Sequence, residues 1–99
     1  MTVNAAPERL FAVLREEAQD RGWAIVSDDP GAGVFEATAE TFWFGFKDDV
    51  AVRVRPGAAP GQFQIDARST SRVGLGDMGA NAARLRDYLG EVSEALSGG

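Results

Sequence analysis

The residues with the means to bind or react lie in two short stretches. Residues 71–86, SRVGLGDMGANAARLR, place Gly74, Gly76 and Gly79 at the G-x-G-x-x-G spacing that cradles a dinucleotide pyrophosphate. Arg72 and Asp77 stand beside them. Residues 42–49, FWFGFKDD, end in the carboxylates Asp48 and Asp49. Carboxylate oxygens suit Ca²⁺ or Mg²⁺. A guanidinium fork suits a carboxylate or phosphate. The open chemistries are therefore phosphate cradling, hard-metal binding and anion binding.

Composition closes several others. The 99 residues include no histidine and no cysteine. A Ser-His-Asp triad, a thiolate zinc site and a disulfide framework are thereby excluded. Ten basic and fifteen acidic residues give a net charge of −5, which disfavours nucleic acid as a partner. No apolar run approaches the roughly 18 residues of a membrane span. With 44% hydrophobic and 25% charged residues the chain has the composition of one folded domain, expected over 1–99 and ordered about 5–96.

A dinucleotide fingerprint sits between a parallel strand and a crossover helix, with an acidic residue roughly 20 positions on. Here the chain ends in the helix that follows the glycines, so that context fails. Asp77 is expected instead to cap this helix, accepting from the first-turn N–H groups at its positive end. Asn81 lies in that first turn. Arg72 can reach Asp77, Asp48 or Asp49 and hold the loop in one geometry.

The elements that position these groups follow from periodicity. Pro7 starts a helix over 6–21, with Leu10, Phe11, Leu14 and Ala18 at helical spacing. Gly22 fits the left-handed cap after it. Strands are expected at 23–28, at 34–41, over Val50 to Arg55 and over Phe63 to Arg68. The turns between them are rich in Pro, Gly and Asp. Residues 42–49 read as a strand end and turn. A last helix over 78–96 carries Ala82, Leu85, Leu89, Val92 and Leu96 on one stripe. The expected fold is α+β, a two-layer sandwich: a four-stranded antiparallel sheet with two helices on one face, in the order α-β-β-β-β-α.

Three groups are then candidate sites. Trp43, Phe44 and Phe46 either close one end of the core or form an aromatic lip for a partner. Asp48, Asp49 and Asp77 either serve turn and cap chemistry or hold a hard metal. Arg72, with Arg53, Arg55 and Arg84, either locks the loop to the sheet by ion pairs or forms an anion pocket. On the wet sheet face, Glu36 and Glu40 can pair with Arg53, Arg55 or Arg68.

The stretches Trp43 to Val50, Val52 to Arg55, Ser69, Ser71 to Gly74, Asp77, Gly79 to Ala82 and Arg84 together resemble the DUF1499 family. The resemblance covers about residues 5–95. It implies no activity, since the family is defined by a domain of unknown function. Members are mostly bacterial, with plant chloroplast relatives. Many bacterial members carry an N-terminal membrane segment or lipoprotein signal and an upstream Asn-Cys-Val-Ser stretch. This chain shows neither. The resemblance therefore implies envelope association only for a longer parent protein. The chain as given is expected to be soluble and cytoplasmic, without membrane insertion.

These readings favour a non-catalytic binding or assembly module acting on a protein or envelope partner. The alternative is a small-anion or metal-dependent enzyme or binder using Arg72, Asp77 and Asp48 or Asp49. No cofactor is expected. The partner is expected to be a protein or small ligand, and the chain a monomer or weak homodimer.

Overall fold

The computed structural model describes residues 1–40, 47–71 and 78–97. Its elements are β1 (Thr2–Asn4), α1 (Pro7–Asp20), β2 (Ala24–Asp29), β3 (Val34–Glu40), β4 (Lys47–Pro56), β5 (Gln62–Ser71) and α2 (Met78–Ser97). Pro7 opens α1, where its missing N–H costs nothing. Beyond the helix, Gly22 takes a left-handed φ of 78°, and its N–H donates to the Gln19 carbonyl at 2.9 Å. The amphipathic pattern of α1 buries Leu10, Phe11, Val13, Leu14 and Ala18.

All strand pairs are antiparallel, in the order β1-β5-β4-β3-β2. The sheet thus has five strands, not the four expected from the sequence. The added strand is β1, which pairs Val3 with Phe63 and turns Val3 into the core at 6% exposure. Three residues with one inward side chain are too short for alternation to show. What holds them is backbone pairing to β5, extended by the Ile65 N–H donating to the Met1 carbonyl at 2.7 Å.

Alternation sorts the sheet faces. Phe35, Ala37 and Ala39 of β3, Val50 and Val52 of β4, and Ile65 of β5 are buried against the helices. Both helices cover that face. Tyr88 and Val92 of α2 join the α1 residues in one core cluster, with Leu85, Leu89 and Leu96 packed partly buried against it. Glu36, Arg53, Arg55, Asp66 and Arg68 lie exposed on the open face.

The turn from β2 to β3 shows why its sequence is needed. Asp29 accepts from the Ala32 N–H at 3.2 Å. Gly33 has a φ of 70°, and a Cβ there would lie 2.4 Å from the Val54 carbonyl oxygen. At the outer edge, the β2–β3 register shifts between Ile25 and Ser27, a bulge that leaves Val26 64% exposed.

Candidate functional site

The two long strands run further than the apolar alternation reaches. β4 begins at Lys47 and β5 continues to Ser71, so Asp48 is a strand residue and not part of a turn. The sequence misleads here because a carboxylate at an inward position reads as a turn residue. Asp48 lies two residues before Val50 and faces the helices with it. It is the buried charged residue of the described chain, at 6% exposure. A lone buried carboxylate would carry a heavy desolvation cost.

That cost is met by Arg84. Its Nη1 lies 2.8 Å from Asp48 Oδ2, with the side chains 19% and 8% exposed. The same Nη1 donates to Ser69 Oγ at 3.3 Å. The register explains the meeting. Asp48 pairs with Ser71 and Val50 with Ser69, so Ser69 sits diagonally from Asp48 on the same sheet face. Arg84 comes down from the N-terminal half of α2. Three elements are thereby fastened at one end of the sandwich.

The same end anchors both motif-bearing stretches. Glu40 pairs with Lys47, Ala39 with Asp48, and Asp48 with Ser71. β3 therefore ends and β4 begins beside Asp48, and β5, which pairs with β4 there, ends at Ser71. Trp43, Phe44, Phe46, Arg72, Asp77 and the side chain of Asn81 lie outside the described residues, as does the proposed capping by Asp77.

The other candidates are separated by the sheet. Asp49 is one residue from Asp48 and so faces the open side, between Thr38 and Thr70. Arg53 is on the open face too, whereas Arg84 is on the helix side. Among the described residues, Arg53 and Arg55 do not share a pocket with Arg84. Arg55 pairs with Asp66 at 2.6 Å, both exposed. Among the described residues no group of three or more carboxylates has the geometry to hold a metal ion.

One buried polar group escaped the sequence reading. Tyr88 is fully buried, and its hydroxyl donates to the Leu14 carbonyl at 2.7 Å. Its ring stacks, tilted at 45°, on Trp23 with centroids 4.8 Å apart. The Arg21 guanidinium lies 5.8 Å from the Trp23 centroid and 5.9 Å from that of Tyr88. Burial pushes the phenol pKa far above its ordinary value; Glu17 adds to the rise and Arg21 opposes it. The available signal was spacing: Tyr88 stands four residues from Arg84 and four from Val92. The arrangement is a core fastening between α1 and α2.

Among the described residues no helix is long and apolar enough to cross a membrane. No curated protein matches the sequence. The residues that converge at the end of the sandwich, Asp48, Ser69 and Arg84, are among those that carry the family resemblance. The family model described as "Protein of unknown function (DUF1499)" matches residues 1–92, and the chain belongs to that family.

Proposed function

We propose that this domain is a non-catalytic binding or assembly module for a protein or envelope partner. Its partner surface is the end of the sandwich fastened by Asp48, Ser69 and Arg84. The observation that supports this is the closed pairing of Asp48 with Arg84. A carboxylate whose charge is met inside the chain acts as a fastening, whereas a base or metal ligand needs an open side toward its substrate. The aromatic residues Trp43, Phe44 and Phe46 lie in the sequence between Glu40 and Lys47, which pair across β3 and β4 next to that fastening. Aromatic side chains supply large contact area at low entropic cost, as partner surfaces require.

Photo-crosslinking in cells tests the reading. A photoreactive residue in place of Trp43 is expected to give one dominant adduct. The same residue in place of Arg55, near the far end of β4, is expected to give none. Equal labelling from both positions, or none from position 43, would overturn the proposal. A saturable rise in melting temperature with Ca²⁺ or Mg²⁺ would move the assignment to a metal-dependent binder.

A further inference from the structure

The open face of the sheet carries a second polar feature, independent of the fastened end. A shallow depression between β4 and β5 is lined by Ala51, Arg53, Asp66, Ala67 and Arg68. Its two arginines come from neighbouring strands. Arg53 lies opposite Asp66, and Arg68 lies opposite Ala51. The cross-strand carboxylate that would neutralise Arg53 is engaged elsewhere, because Asp66 Oδ2 accepts from Arg55 at 2.6 Å. Arg68 faces only a methyl group across the strand pair. Among the described residues neither the Arg53 nor the Arg68 guanidinium takes part in an ion pair or side-chain hydrogen bond.

From this geometry we propose that the depression over Ala51 binds a small phosphate-bearing ligand between Arg53 and Arg68. Two guanidinium groups supply two positive charges and planar donor forks, which match a dianionic phosphate better than a monoanionic carboxylate. Ala51 gives the depression its floor, since a larger side chain would fill it. The rim sets the size limit. Glu36, across β4 from Arg68, and Asp49, two residues before Ala51, repel an extended polyanion. A compact phosphate monoester fits within them, and nucleic acid does not. The proposal goes beyond the partner surface above and stands without it.

Side-chain NMR of the full chain tests it, with inorganic phosphate as the probe. The Nε–H signals of Arg53 and Arg68 are expected to shift saturably, while that of Arg55 stays still. Acetate at matched ionic strength is expected to produce smaller, unsaturated shifts. Arg68→Gln, on the exposed face, is expected to leave the fold intact and to weaken phosphate binding about tenfold, read at Arg53. If all exposed arginines move together with ionic strength, or if Arg68→Gln leaves the Arg53 titration unchanged, the site does not exist.

Discussion

Tyr88 shows how one residue couples a helix pair and carries a pH dependence. Its hydroxyl is satisfied by the Leu14 carbonyl, and the ring is closed in by Trp23 and the Arg21 side chain. Replacing it with phenylalanine keeps the ring and removes one buried hydrogen bond. The expected cost is about 1 kcal/mol in urea unfolding. The sign of the pH effect follows from burial. The folded protein holds the phenol proton, whereas the unfolded chain releases it near the ordinary value of 10.0. Above that pH the unfolded state binds fewer protons, so stability falls as pH rises. Below it the group contributes no slope. Tyr88→Phe is therefore expected to flatten the alkaline arm of a stability–pH profile. An unchanged alkaline slope would show that the phenol titrates alike in the folded and unfolded states.

Two glycines separate turn geometry from helix propensity at the scale of elements. Gly33 combines positive φ with a close approach to the Val54 carbonyl. Gly33→Ala is expected to destabilise by about 1–3 kcal/mol, because both the backbone conformation and the contact oppose a Cβ. Gly90 lies within α2, and a Cβ there meets nothing within 4 Å. Gly90→Ala is expected to stabilise by roughly 1 kcal/mol through helix propensity. Thermal unfolding of the two variants checks both signs. A loss of stability in Gly90→Ala would mean that the bare backbone of α2 is used by something within the fold.

The same elements show what the sequence made legible. Both helices and the centres of β2 to β5 were readable, because Leu10, Phe11 and Leu14 or Val50, Val52 and Val54 recur at the period of their element. The boundaries failed where inward positions are polar. Asp48 at the start of β4 and Ser69 near the end of β5 break the apolar alternation, although the backbone ladder runs through them. They do so because α2 brings Arg84 above them. A sequence pattern records the hydrophobic period but not a charge delivered from another element. β1 was hidden for a different reason, since its stability comes from pairing to β5 and not from its own three residues. Asp48 and Arg84 stand among the candidate site residues, but the ion pair between them is not legible in the sequence. The separation of Arg53 from Arg84 required knowing which face each strand residue takes.

The whole molecule is a helix layer tied to a sheet layer by a shared core and a few polar fastenings. Arg15 of α1 pairs with Asp28 of β2 on the helix side of one edge. Arg9 of α1 donates to the Ala95 carbonyl of α2 at 3.2 Å and so joins the two helices. Asp48 and Arg84 tie α2 to the start of β4, the strand at the centre of the sheet order. The first two are exposed or half-exposed and contribute little. The third is buried, and removing one partner strands the other in a poorly solvated place. This fastening holds in register the start of β4 and the end of β5, which carry Asp48 and Ser69.

A double-mutant cycle on Asp48→Asn and Arg84→Met, read by urea unfolding, tests that claim most directly. Each single change is predicted to cost about 2 kcal/mol or more, and the double change less than the sum. Such coupling would show that the two residues hold each other and that the fold needs them. Single variants as stable as the parent, with additive effects, would contradict the account. Asp48 and Arg84 would then not be needed by the fold, and their pairing would not position the end of the sandwich.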